Sequence, residues 1–195
     1  DAQESRGLGD VYKRQADMLK TAPPAYTSSV EYANDALSQS LKGIAQVHLS
    51  GIGTRIFYAQ LGGFDVHGAQ IQTQQTLLQN VSRSVGDFFD DLRENDGSQE
   101  VIMMIFSEFG RRIKDNGNGT DHGSGGGTLL IGDRVKGGFY DPYPSLAPED
   151  QLDGDMHFSH DFRSIYSTVL EQWLGLNPVP IVNGAFDQFE NVFNL

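Results

Sequence analysis

The chain has 195 residues, 38% of them hydrophobic and 10% aromatic, which suits one packed core and would crowd two. Its formal charge of -12 would repel phosphate backbones and anionic lipid surfaces, so nucleic acid is not an expected partner. With no cysteine in the sequence, disulfides, thiolate metal sites and cysteine nucleophiles are excluded, and any metal must be held by oxygen and imidazole.

Residues 1–15 (DAQESRGLGDVYKRQ) carry three acids and three bases without a sustained apolar period, so a disordered leader is expected there. The same stretch resembles translated adapter sequence, and on that reading it stands outside the fold, with the biological protein beginning upstream. Nothing in it resembles a signal peptide. Pro23 and Pro24 mark a linker over 21–29.

From 30 to 49 the positions Val30, Ala33, Leu37, Leu41, Ile44 and His48 step by three or four, which predicts a helix with one buried stripe, ended by Gly51. His48 on that stripe is read as a hydrogen-bonded packing residue in preference to a ligand. Residues 54–61 (TRIFYAQL), bounded by glycine, predict a strand. Just beyond it, Asp65 and His67 are two apart, so in extended backbone their side chains point to one side. A second helix follows, with Leu78, Val81, Val85, Phe88 and Leu92 on one face and the acids Asp87, Asp90, Asp91 and Glu94 expected on solvated faces. After a turn at 95–98, the apolar run 101–106 (VIMMIF) predicts a strand covered on both faces.

Strand, helix, strand in this order is the unit of a parallel sheet, whose ligand sites lie at the carboxyl ends of the strands. That topology would set Asp65 and His67 on one rim with Ser107, Glu108, Arg111 and Arg112. The two arginines could clamp an anion, or pair with Glu108 and fix the loop. In the glycine-rich stretch 116–130 (NGNGTDHGSGGGTLL), Asp121 and His122 stand side by side with little bulk around them. They either converge on a cation or belong to a turn. A third strand at 128–131 would leave them at its start, so reaching the rim requires the loop to fold back or that strand to run antiparallel.

Residues 136–140 suggest an edge strand, and 141–155, with Pro142, Pro144 and Pro148, a long surface loop. His157, Ser159, His160 and Asp161 precede a last helix whose predicted buried face is Phe162, Ile165, Tyr166, Val169, Leu170 and Trp173, closed by Gly175. Ser159 or Asp161 would cap it. Phe186, Phe189 and Phe193 in the tail need cover. No apolar run approaches the roughly 18 residues of a membrane helix, so no membrane span is expected.

The motifs GGFDVH, FSEFGRR, GTDHG, VKGGFY and DFRSIYSTVLEQWLG occur together and in order. As a set, covering about residues 30–175, they resemble the bacterial family called domain of unknown function 1501, which looks like a branch of the alkaline phosphatase and sulfatase superfamily. The resemblance implies an α/β fold with a mostly parallel, alkaline-phosphatase-like sheet flanked by helices and incomplete at its N-terminus. Residues 16–195 would then be the C-terminal portion of one domain, and the missing N-terminal half of the chain would carry the nucleophile. It further implies two divalent metals, with Asp65 and His67 on one, although the superfamily spaces that pair four apart, and Asp121 and His122 on the other. His157 and His160 stand where a later histidine would complete the first site. Mixed carboxylate and imidazole ligation suits Zn or Mn.

Family members commonly carry a twin-arginine export signal, which implies a periplasmic or extracellular protein. The activity implied is metal-dependent hydrolysis of an anionic small-molecule ester of phosphate or sulfate, with Arg111 and Arg112 binding the anion and Glu108 orienting a ligand. The alternative is an exported binding or cell-surface assembly protein that keeps the fold without the chemistry.

Overall fold

The computed structural model describes residues 26–195, so the leader expected over 1–15 lies outside the described residues. These residues group into two compact units. The first runs to Phe64 and includes Gln75–Ser98, and the second takes Asp65–Gln74 and Gln99–Leu195.

In the first unit, helix α1 (Ala36–Leu49) starts later than periodicity suggests, because Asp35 is the residue that can cap it. Asp35 has extended backbone, and its carboxylate accepts from the Ser38 amide at 3.0 Å and the Ser38 hydroxyl at 2.8 Å. The helix ends before Gly51, whose φ of +69° is one a side chain would resist. Leu37, Leu41 and Ala45 of this helix and Phe88, Phe89 and Leu92 of helix α2 (Gln70–Glu94) are the buried apolar side chains among the described residues of the unit. The bulkier of these stabilise by about 1.5–3 kcal/mol each on burial. Cross-links fix the register, with Asp35 to Arg83 at 2.7 Å, the Ser38 and Ser84 hydroxyls at 2.8 Å, and His48 Nε2 to the Gly97 carbonyl at 3.1 Å. Both sides of this series ascend, so the helices run parallel within the unit.

Two expectations change in this unit. Residues 54–61 form no ladder among the described residues. The acidic run of α2 is not all solvated either, since Asp91 is fully buried and accepts from the Tyr32 hydroxyl at 2.7 Å, from the Tyr26 hydroxyl, and from Asn95 Nδ2 at 3.2 Å. A carboxylate goes inside only when its oxygens keep their hydrogen bonds, and these donors supply them.

The Asp35 cap gives a measurable increment. Asp35→Ala removes the cap and the Arg83 contact, and is expected to lower unfolding free energy by about 1 kcal/mol in urea titrations. The Ser38 amide bond, then the Ser38 hydroxyl and the Arg83 charge, hold the Asp35 carboxyl below its ordinary range against a smaller opposing effect of burial. Its contribution is therefore whole above the ordinary aspartate pKa of about 3.9 and is lost as pH falls below it. The wild-type and alanine stabilities should converge in acid.

In the second unit, strand β1 (Met103–Ile105) pairs antiparallel with β4 (Leu129–Ile131), and β2 (Gly110–Asp115) pairs antiparallel with β3 (Thr120–Gly123). Helices plus small antiparallel sheets make this a mixed α/β chain, and the parallel sheet expected from element order is not formed among the described residues. The reason lies between β1 and β4. A parallel neighbour needs a crossover, whereas the chain here makes a hairpin that returns it toward its start. The apolar run 101–106 is correspondingly less covered than expected: β1 is of intermediate exposure throughout and Phe106 is half exposed. At 136–140 no edge strand forms. Lys136 N instead donates to the Val192 carbonyl and Asn194 N to the Arg134 carbonyl, both at 2.8 Å.

Helix α3 (Phe162–Thr168) is capped by Asp161, which accepts from the Arg163 amide at 2.9 Å. It continues as a π-helical turn over Val169–Trp173, where Leu174 N reaches back to the Val169 carbonyl at 3.1 Å. Gly175, at φ +68°, closes it, and Leu176 N donates to the Leu170 carbonyl at 2.8 Å. The buried face of α3 differs from the expected apolar stripe: Ser164, Ser167 and Thr168 are inside, while Phe162 is exposed. Small hydroxyl side chains let the tail backbone approach, and the Phe189 amide donates to Thr168 Oγ1 at 3.0 Å. The tail phenylalanines find cover here. Phe193 is buried against Trp173 with ring centres 5.5 Å apart, and Phe186 lies 4.1 Å from the Arg163 guanidinium. After α3 comes the short helix α4 (Val179–Val182). No helix among the described residues is long and apolar enough to cross a membrane.

Candidate metal centre

The β2–β3 hairpin is made by the sequence Asn116-Gly117-Asn118-Gly119, in which Gly117 takes φ +96° and the Asn116 side chain accepts from the Asn118 amide at 3.0 Å. The hairpin tip then holds the segment before α2. Asn118 Oδ1 accepts from the Ala69 amide at 3.0 Å, and Gln70 Oε1 accepts from both the amide and the hydroxyl of Thr120. These bonds seat Asp65 and His67 beside β3. Ala69 takes φ +49°, an uncommon conformation for alanine, held where the chain turns into the helix.

Three side chains converge as a result. Asp65 Oδ1 lies 3.3 Å from His67 Nδ1 and 2.8 Å from His122 Nε2, and the three donor atoms all fall within 4.8 Å of one another. The His67 and His122 rings are 4.9 Å apart. Phe109 stacks on His122 at 3.8 Å and 13°, and the Arg111 guanidinium stands 5.2 Å from the Phe109 ring. Arg111 Nη1 also donates to the Thr120 carbonyl at 2.6 Å, tying β2 to β3. The cluster is open to solvent, with side-chain exposures of 65% for Asp65, 49% for His67 and 41% for His122, so an ion could enter without rearrangement of the backbone.

The donor set fits a divalent cation. Zn with nitrogen and oxygen ligands at about 2.0–2.2 Å in a tetrahedron sets neighbouring ligand atoms roughly 3.4 Å apart. His67 Nδ1 stands close to that separation from Asp65 Oδ1, and His122 Nε2, at the hydrogen-bond distance of 2.8 Å, would move outward by about 0.6 Å to admit the ion. One carboxylate and two imidazoles would leave a coordination position for water or a substrate oxygen.

The remaining sequence candidates stand elsewhere. Asp121 and His122 are neighbours on a strand, so their side chains leave opposite faces, and Asp121 accepts from Asn116 Nδ2 at 3.0 Å. Glu108 is exposed just before β2, and Arg112 lies on β2. Burial would raise the Asp155 carboxyl, but the Ser124 and Met156 amides and the Arg112 charge outweigh it and hold that group below its ordinary range. His157 is exposed in the proline-containing loop, and His160 Nδ1 pairs with Asp141 Oδ2 at 2.8 Å. Phe109 and the Asn118 and Gln70 props were not singled out by sequence reasoning. The props were within reach of it, because two Asn-Gly pairs in a row are a hairpin signal.

Residues 5–172 match the profile of a family described as protein of unknown function (DUF1501). No curated protein and no solved structure matches the chain.

Proposed function

The chain belongs to the DUF1501 family, whose profile spans most of its length, and from that premise we propose that it is part of an exported, metal-dependent hydrolase of phosphate or sulfate esters. The observation that carries this reading is the convergence of Asp65, His67 and His122 on one point. In this proposal the chain is the C-terminal portion of an alkaline-phosphatase-like domain in the periplasm or outside the cell, as the motif resemblance implies, and Zn or Mn is the ion. When bound, the ion supplies Lewis-acid polarisation of an ester oxygen or of water. Asp65 contributes charge and holds both imidazoles in place, and Phe109 fixes the plane of His122. Arg111, whose guanidinium stands 5.2 Å from the Phe109 ring, is the neighbouring cation that would attract an anionic ester group.

Equilibrium dialysis followed by elemental analysis tests the centre. Zn or Mn should be retained at about one ion per chain. His122→Ala and Asp65→Asn should each weaken retention about tenfold or more, while Asp121→Asn should have a smaller effect. No retained ion would overturn the metal reading. An ion retained by the chain joined to its N-terminal portion, without turnover of generic phosphate or sulfate esters, would assign the centre to a non-catalytic binding or cell-surface assembly protein.

A further inference from the structure

The loop 141–160 is built more firmly than a surface connection requires. Its neck is closed by His160 Nδ1 on Asp141 Oδ2 at 2.8 Å. Inside, Gln151 Nε2 donates to the Leu146 carbonyl at 2.8 Å, and Leu152 and Asp155 exchange backbone hydrogen bonds at 2.9 and 3.0 Å. Asp155 Oδ2 accepts from the Ser124 amide at 3.0 Å, which anchors the loop to the residue just past β3. Three prolines, Pro142, Pro144 and Pro148, reduce the freedom the loop would have to lose. Loops of this length are uncommon in a compact unit unless they serve a function.

This loop lines an open depression of about 430 Å³ on the surface, a volume within the range of small-molecule sites. Tyr143 and Phe158 line it while remaining 81% and 66% exposed, and neither ring packs on another aromatic among the described residues. Glu149 and Asp150 line it as well, and no lysine or arginine does. Two exposed aromatic faces beside two carboxylates, on a chain of net charge -12, form a surface complementary to positive charge carried on an apolar body.

We propose that the depression of loop 141–160 binds a small organic cation bearing a protonated amine, guanidinium or quaternary ammonium group. The rings of Tyr143 and Phe158 receive its alkyl body and the face of its charge, and Glu149 and Asp150 neutralise it. An anion would meet the two carboxylates and be repelled.

Calorimetric titration of the whole chain tests this in buffer containing a chelator, so the result is independent of the metal centre. The probes are choline, agmatine, glucose, and 3,3-dimethylbutan-1-ol as the neutral isostere of choline. Choline or agmatine should saturate at millimolar concentration or below, with the neutral alcohol weaker by about tenfold or more. Tyr143→Ala, and Glu149→Gln combined with Asp150→Asn, should each weaken cation binding by about tenfold at an unchanged melting temperature, since all three side chains are exposed. Equal affinity for the neutral alcohol, saturation by glucose in place of the cations, or no saturable binding of either cation would overturn the assignment.

Discussion

Replacing Asp91 with alanine is expected to destabilise the first unit by about 3 kcal/mol or more, a large share of the stability of a small unit. The carboxylate is fully buried and answers three donors at once, the hydroxyls of Tyr26 and Tyr32 on Oδ2 and Asn95 Nδ2 on Oδ1. Alanine takes this acceptor from the two half-buried tyrosine hydroxyls, while Asn95 Nδ2 keeps the residue-91 backbone carbonyl at 3.0 Å, and a stranded donor costs about 1–3 kcal/mol. Asp91→Asn separates the contributions. Its amide carbonyl can still serve both tyrosines, but its NH2 group then opposes the Asn95 amide, donor against donor. Urea unfolding should therefore order the stabilities as wild type, then asparagine, then alanine. A variant as stable as wild type would show that the network contributes little.

The same network sets an alkaline limit. Burial first, then hydrogen bonding to Asp91 and its charge, raise both tyrosine hydroxyls above their ordinary pKa. A raised folded-state pKa gives stability that is whole below the unfolded value, about 10 for tyrosine, and is lost as pH rises above it. Unfolding free energy should thus decline above about pH 10. Tyr26→Phe with Tyr32→Phe should flatten that decline, which denaturant titration at several pH values would reveal.

Placing a single methyl group at Gly110 is expected to cost about 3 kcal/mol and to weaken divalent-ion retention about tenfold or more. A Cβ there would lie 2.7 Å from the Gly123 carbonyl oxygen and 2.7 Å from the Gly125 carbonyl carbon. Both are backbone atoms that cannot swing aside, and Gly110 pairs with Gly123 in the ladder while Arg111 pairs with His122. The strands must part to admit the methyl, and parting them moves His122 away from Asp65 and Phe109. Gly86→Ala is the control, since that helical glycine has nothing within 4 Å of the added carbon. It should stabilise by about 0.5–1 kcal/mol and leave ion retention unchanged. Circular dichroism melts and dialysis on the two variants decide the matter. If Gly110→Ala retained ions like wild type, the hairpin would not be what holds the centre together.

The sequence by itself determined what depends on near neighbours. The three-and-four spacing of Leu78, Val81, Val85, Phe88 and Leu92 specified α2, Gly51 and Gly175 marked helix ends, and Asp161 was legible as a cap because an aspartate before a helical run has an amide to accept from. His122 was legible as a ligand candidate from residue type and the small residues around it, and Asp65 and His67 from their two-residue spacing past a predicted strand and from the motif resemblance. Which of the candidates meet was not legible. Asp121 and His122 are equivalent as letters, and only their place on β3, a strand opposite β2, sends one to Asn116 and the other to Asp65. Strand direction was also beyond reach: the run VIMMIF suits a parallel or an antiparallel neighbour equally, and the intervening hairpin decided for antiparallel. Asp91 sits in an acidic run that looks solvated, and it became buried because Tyr26 and Tyr32, 65 and 59 residues away along the chain, supply its hydrogen bonds. Periodicity and capping act over one or two turns and so are written locally. Pairing, burial and the convergence of ligands depend on residues far apart in the chain, and the tertiary structure alone selects those partners.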